Sequence, residues 1–258
     1  MGKGGVGDGE LKAVIMAAGP TSEGYGFPPD SKPKCLFHFQ GEVLLEGQVR
    51  VLREAGINDI VIVAGYKIEM VQEFNKDRQL GLNVLYNPSA ASDKLVSRGW
   101  NKGIETAKVG VKTADDDVLL IFGDVLLVVE SIQKIVEDEN QCSSIYSGHG
   151  YQLYKVPKAL IPALINYPGR GGGMIDLHDF CMKNGGIRMV VGSRPGKDAW
   201  MKKCETKWLN APVLQDVDYF YQTDEGVVHG MSPGKYTAWL KEQEAKGIRY
   251  SGWVPVKK

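Results

Sequence analysis

Two kinds of side chain are spaced for work on a phosphate. The acidic set is Asp124, which follows the apolar run 118–122 after the single Gly123, and the pair Asp216 and Asp218 around one valine. A carboxylate at the end of a buried strand offers hard oxygen donors to Mg²⁺. Alternate residues of an extended segment share a face, where two carboxylates either hold a cation or repel each other. A helix cap is the alternative reading of Asp124, whose position favours the metal, and a solvated turn is an equal reading of the bare Asp-Val-Asp. The basic partner is Lys34. It closes a loop rich in Gly and Pro that begins Ala17-Ala18-Gly19-Pro20. Small residues there let backbone N–H groups approach a nucleotide closely, and a lysine neutralises phosphate charge. Gly19 taken alone reads equally as a tight turn.

These residues need elements to position them. Residues 11–17, 59–64 and 118–122 are short, continuous apolar runs that read as buried parallel strands, with another strand at 82–86. Helical spacing appears over 43–55, 67–74 and 94–107. Strand and helix alternate, which predicts an α/β fold with a mostly parallel central sheet and helices on both faces. Ligands in such sheets bind beyond the carboxyl ends of the strands. The loops after Ala17, Ala64, Tyr86 and Phe122 are therefore the ones to watch, and they bring in Gly65 and Asn87. The second half is less regular: strand-like pieces over 145–156, helices at 157–166 and 174–183, strands at 187–192 and 208–214, and a last helix at 234–246. We expect a flexible tail over 1–10 and one domain over 11–258, with a nucleotide-binding half at about 11–130 and an acceptor-binding half at about 131–258.

Composition narrows the class. Lys plus Arg and Asp plus Glu number 31 each in 258 residues, so the net charge is zero, against the basic footprint of a nucleic-acid binder. No apolar run reaches about 18 residues, so no membrane span is expected. The four cysteines show neither a Cys-x-x-Cys pair nor a disulfide rhythm, which suits a reduced cytoplasmic compartment. The stretch Lys3-Gly4-Gly5-Val6-Gly7 is not a P-loop, because it precedes the first strand and lacks the closing Lys-Ser/Thr.

The stretches KAVIMAAG (12–19), PKCL (33–36) and LLEGQVRVLREAGINDIVIVAGY (44–66) resemble nucleotidyltransferases with a glycosyltransferase-A-like, Rossmann-like sandwich. That superfamily includes sugar-1-phosphate nucleotidyltransferases and phosphocholine-type cytidylyltransferases. LLIFGDVLL (119–127) resembles its central strand with the metal-binding aspartate, and GYQLYKV (150–156) the strand lining the acceptor site. The resemblance implies that Ala17, Ala18 and Gly19 hold base and ribose by their backbones, with Pro20, Gly65 and Gly123 in the nucleotide-binding set. It implies that Lys34 meets a phosphate, and that Asp124 and Asp218, with Asp216 beside them, bind Mg²⁺ or Mn²⁺. Asn87-Pro88 followed by Ser97 is similar to a pattern of the phosphocholine-type branch, which points to CTP.

One departure stands out. The family loop reads Gly-x-Gly-x-Arg, whereas Thr21 and Glu23 stand here at the second glycine and the arginine. An acidic side chain facing a triphosphate repels it unless Mg²⁺ intervenes. Lys32, Lys94, Arg98, Arg170 and Arg194 are alternative sources of the charge, each also readable as an ordinary solvated cation. His149, His178 and His229 read as structural or acceptor-contacting, since nothing pairs them with a nucleophile. Gly169–Gly173, with Arg170 inside it, reads as a mobile loop.

The expected activity is Mg²⁺-dependent transfer of a nucleoside monophosphate, CMP from CTP first, to a small phosphorylated or phosphonate acceptor. The alternatives are a sugar-1-phosphate nucleotidyltransferase using UTP, dTTP or GTP, a pseudoenzyme marked by Glu23, and a glycosyltransferase using Asp-Val-Asp as its metal motif. No nucleic-acid or membrane partner is expected, and monomer or homo-oligomer stays open.

Overall fold

A computed structural model describes residues 11–19, 32–39, 42–91, 102–127, 129–138, 142–147, 150–169, 174–185, 187–191, 206–209, 215–216, 221–223, 226–228, 245, 249–251 and 254–256. The chain runs β1 (Lys12–Ala17), β2 (His38–Phe39), β3 (Glu42–Val43), α1 (Leu44–Glu54), β4 (Ile60–Ala64), α2 (Ile68–Asp77), β5 (Asn83–Tyr86), α3 (Pro88–Ala91) and α4 (Lys102–Val111). It continues through β6 (Val118–Phe122), β7 (Val125–Leu126), α5 (Val129–Val136), β8 (Ser143–Ser147), β9 (Gly150–Val156), α6 (Ile161–Ile165) and α7 (Met174–Lys183). The last strands are β10 (Ile187–Val191), β11 (Thr206–Leu209), β12 (Gln215–Asp216), β13 (Tyr221–Thr223), β14 (Gly226–Val228), β15 (Arg249–Ser251) and β16 (Val254–Val256).

An eight-stranded sheet in the order β11-β10-β8-β9-β6-β1-β4-β5 forms the frame. Its pairings are parallel except those of β9, which runs against both β6 and β8. The sheet is thus mostly parallel, and a β8–β9 hairpin interrupts the alternation seen in the first half. Three smaller sheets accompany the frame among the described residues: β14-β13-β2-β3, β12 paired with β7, and β15 paired with β16.

Side-chain alternation along the central strands explains why apolar runs appear continuous in sequence. On β1, Ala13 and Ile15 pack on one face with Ile62, Leu119, Leu45, Leu52, Val71 and Ile132. Val14 and Met16 pack on the other face with Val63, Leu120, Tyr154, Ile104, Leu164 and Phe180. Helices α1, α2 and α5 therefore cover one face, and α4, α6 and α7 the other, so the central strands β1, β4 and β6 are buried on both sides, while the edge strand β5 is only partly buried.

Several boundaries differ from the sequence reading, two of them by more than a turn or a register step. The helix expected at 94–107 is described over Lys102–Val111, where Ile104, Ala107 and Val111 turn one stripe toward the sheet. The strand expected at 208–214 is described as Thr206–Leu209, because its ladder with Arg188–Val191 starts at Thr206. The tail 1–10 and the helix at 234–246 lie outside the described residues, apart from position 245, which is helical. Among the described residues no helix is long and apolar enough to cross a membrane.

Cysteine spacing left the thiols unpaired, but the fold brings two of them together. The sulfurs of buried Cys142 and Cys181, on the approach to β8 and on α7, lie 2.6 Å apart. The Cys142 thiol also donates to the Lys155 carbonyl at 3.2 Å.

Candidate active site

Four loops meet at the carboxyl edge of β1, β4, β5 and β6, and they meet backbone to backbone. The Tyr66 N–H donates to the Ala18 carbonyl at 3.1 Å, and the Gly123 N–H to the Met16 carbonyl at 2.9 Å. A Cβ at Gly65 would stand 2.7 Å from the Ala18 carbonyl oxygen and 2.9 Å from that of Asn87. A Cβ at Gly123 would stand 2.7 Å from the Ala17 Cβ. Glycine is needed at both places because the neighbouring chain fills the space a side chain would take. Ala18 is buried, while Gly19 is exposed with open space on its Cβ side. The backbone of β1 therefore emerges at an edge where glycine-thin loops pack closely against it.

Lys34 is aimed into this edge by local structure. Pro33 precedes a single 3₁₀ turn, Lys34–Leu36, whose bonds run from Leu36 N–H to the Pro33 carbonyl at 2.9 Å and from Phe37 N–H to the Lys34 carbonyl at 3.0 Å. Cys35, Leu36 and Phe37 are buried and anchor the turn, and the Leu44 N–H at the start of α1 donates to the Phe37 carbonyl at 2.9 Å. Lys34 Nζ forms an ion pair with Asp124 Oδ2. The two side chains are 22% and 19% exposed, half-sheltered yet open to solvent on one side. Beside them, burial, reinforced by the Asp124 charge, pushes the Cys35 thiol up to about 12. It remains a neutral packing group.

Asp124 itself sits in the turn between β6 and β7. Gln48, absent from the sequence reading, reaches this turn from α1. Its Nε2 donates to the carbonyls of Phe122 and Val125, each at 2.8 Å. Gln48 is 1% exposed, and its Oε1 has no hydrogen-bond partner among the described residues. The signal in the sequence was a polar residue within the buried stripe Leu44, Leu45, Val49 and Leu52, since such residues are seldom buried without a task.

Other sequence candidates fall variously. The Asn87 side chain is buried; its Nδ2 donates to Thr106 Oγ1 at 3.0 Å, and its Oδ1 accepts from Ser89 Oγ at 2.7 Å and Ser89 N–H at 3.2 Å. That side chain is committed to the start of α3 and to α4. Asp216 lies on β12, whose backbone pairs antiparallel with β7 in the register Asp216↔Val125, one residue from Asp124. Pro20, Glu23, Lys94, Ser97, Arg98, Arg170, Arg194, Asp218, His149 and His229 lie outside the described residues. His178 is buried with Nδ1 3.4 Å from Ser144 Oγ.

Among the described residues no group of three or more His, Cys, Asp or Glu gathers as a metal site. The donor chemistry nevertheless fits a hard divalent cation. Asp124 presents a carboxylate at the open strand edge, and the β12–β7 register brings the chain bearing Asp216 alongside.

Comparisons with known proteins agree with this geometry. The family model described as "MobA-like NTP transferase domain" matches residues 13–179. The bifunctional protein GlmU of Acetivibrio thermocellus is 29% identical over 203 residues, 79% of this chain and 37% of that protein. The choline-phosphate cytidylyltransferase of Streptococcus pneumoniae is 35% identical over 87 residues, 31% of this chain and 34% of that protein. The chain thus spans about a third of the length of these curated relatives. Among solved structures, a CTP:phosphocholine cytidylyltransferase from Streptococcus pneumoniae superposes with a TM-score of 0.52 at 15% identity, covering 90% of this chain and 99% of that one. A Mycobacterium tuberculosis protein solved in complex with manganese superposes with a TM-score of 0.50 at 16% identity, covering 90% of this chain and 98% of that one.

Proposed function

Since this chain belongs to the MobA-like NTP transferase domain family, we propose that it transfers a nucleoside monophosphate, CMP from CTP, to a small phosphorylated or phosphonate acceptor. The observation that carries this reading is the Lys34–Asp124 ion pair at the carboxyl edge where the β1 loop and the β6 end converge. It sets a cation for phosphate oxygens beside a carboxylate for a divalent metal, next to exposed backbone at Gly19.

The reaction is an in-line displacement. An oxygen of the acceptor's phosphate or phosphonate attacks the α-phosphorus, the bond from that phosphorus to the α–β bridging oxygen breaks, and pyrophosphate leaves with the electron pair. The acceptor oxygen is already anionic, so no general base is needed. Catalysis is then positioning and charge neutralisation. Lys34 neutralises the triphosphate. The backbones of Ala17, Ala18 and Gly19, with Pro20, Gly65 and Gly123, hold base and ribose. Asn87 contributes through its main chain, since its side chain is engaged elsewhere. Asp124, with Asp216 and Asp218, would hold Mg²⁺ or Mn²⁺, which when bound neutralises charge on the α-phosphate. The manganese-bound fold neighbour supports that choice of ion.

The Asn87-Pro88…Ser97 pattern and the two cytidylyltransferase relatives, one named for choline phosphate and one for phosphoglutamine, support CTP and a phosphorylated acceptor. We assign the activity to a single domain over 11–258 working in the cytoplasm on small molecules. A sugar-1-phosphate acceptor with UTP, dTTP or GTP is the second reading, favoured by a fold neighbour named as a putative glucose-1-phosphate thymidylyltransferase.

The test is pyrophosphate release from CTP, UTP, dTTP, GTP and ATP with Mg²⁺, against a pool of phosphocholine, aminoalkylphosphonates, amino-acid phosphates and sugar-1-phosphates. Acceptor-dependent release with CTP is expected. Release with UTP, dTTP or GTP and a sugar-1-phosphate establishes the second reading instead. Silence with all five, and no shift in melting temperature with any, defeats both.

A further inference from the structure

We propose that Gln48 is a positioning residue for the reaction read above, acting through Asp124 by holding the Gly123–Asp124 turn from beneath. One amide nitrogen spans the turn. Its two N–H groups reach the Phe122 and Val125 carbonyls, each at 2.8 Å, and these residues flank Gly123 and Asp124 on either side. A primary amide does this where a hydroxyl, with one proton, cannot.

Gln48 lies in the apolar stripe of α1 at 1% exposure, and its Oε1 is buried without a partner among the described residues. That unpaired acceptor is destabilising, while the two bonds from Nε2 to the Phe122 and Val125 carbonyls offset the cost. What the amide adds beyond that balance is a fixed turn geometry.

The same segment of chain also supplies Lys34. Its turn is tied to α1 by the bond from Leu44 N–H to the Phe37 carbonyl. One unit thus grips the turn twice: Gln48 holds the Phe122 and Val125 carbonyls on either side of it, and Lys34 holds the Asp124 carboxylate. On the far side Gly123 abuts Ala17, so the turn is wedged between α1 and β1. A shift of about 1 Å in a group that orients reacting atoms costs on the order of a hundredfold in rate.

The experiment uses the full chain with Gln48→Met, which keeps length and removes the donors, and Gln48→Asn, which keeps the amide but withdraws it by one methylene. Expected for either folded variant is a fall in kcat of at least about tenfold, with KM for the NTP within about twofold of wild type. A kcat within twofold of wild type in a folded variant overturns the proposal. A second readout needs no turnover: denaturant unfolding of Gln48→Met, Asp124→Asn and the double variant. Coupling of at least about threefold in the folding equilibrium is expected, the double losing less than the two singles together. Strict additivity overturns the proposal. A wild-type chain inactive with every NTP defeats the functional reading, and the unfolding cycle still decides how Gln48 and Asp124 are linked.

Discussion

Lys34 and Asp124 stand 90 positions apart in the chain and close an ion pair across the carboxyl edge of the sheet. The pair joins the loop that follows β1 to the turn that follows β6. Each side chain alone reads as an ordinary solvated charge, and together they mark the place where the proposed phosphate and metal chemistry would meet.

Asp124→Asn should lower kcat by about a hundredfold, the scale found when one preorganised charged group is removed from a transition state. Stability should change little, because partly exposed ion pairs contribute on the order of 1 kcal/mol or less. Steady-state pyrophosphate release and a thermal melt on the same preparation check both halves. Retention of more than a third of the activity would remove Asp124 from the mechanism.

Replacing Lys34 by Arg keeps the charge but trades a compact ammonium for a planar fork. The buried 3₁₀ turn that aims Lys34 leaves little room for that exchange. We expect at least about a tenfold loss in kcat/KM for the NTP, and a greater loss for Lys34→Met. An Arg variant with full activity would mean that charge alone matters at this position.

The frame of the fold was legible and the grip on the turn was not. Strands β1, β4 and β6 are buried on both faces, so their apolar runs announced themselves without alternation. Helix α7 fell on the expected 174–183 because its apolar period is regular. The direction of β9 was hidden, since an alternating strand carries no mark of which way its neighbour runs. Strands β2, β3 and β7, two residues each, are too short to show a period. Gln48 was readable as a polar break in an apolar stripe, but its carbonyl partners lie 74 and 77 residues away. The Cys142–Cys181 approach has the same character, a contact between elements 39 residues apart.

Gly65→Ala and Gly123→Ala test the packed loops. Each adds a methyl carbon where another atom lies 2.7 Å away, backbone oxygen in one case and the Ala17 Cβ in the other. Overpacking of this kind costs about 1–3 kcal/mol. Differential scanning calorimetry should show melting temperature falling by several degrees, with KM for the NTP rising as the edge is pushed open. An unchanged melt would show that the loops yield freely.

The buried thiols set an alkaline limit. The Cys35 thiol ionises near 12 in the fold against 9.0 for an ordinary thiol, burial being the main cause, so the unfolded chain releases its proton first. Stability should therefore be unaffected below pH 9 and decline as pH climbs from 9 towards 12. Cys181, raised by burial and by its contact with Cys142, acts in the same direction. Urea midpoints at pH 8 and pH 10.5 measure the slope, and Cys35→Ala should flatten it. Iodoacetamide at pH 8 should leave Cys35 and Cys181 unlabelled in the native protein and label both in denaturant.

The reversed strand β9 has an architectural consequence. Because β9 runs against β6 and β8, Ser147 ends and Gly150 begins at the same edge of the sheet as Asp124. The ends of two strands whose other residues are locked into the frame are thereby delivered to the edge that carries Asp124. Substitutions at those ends change the rim of that edge while the sheet keeps its register, so the rim and the frame are written in separate stretches of chain.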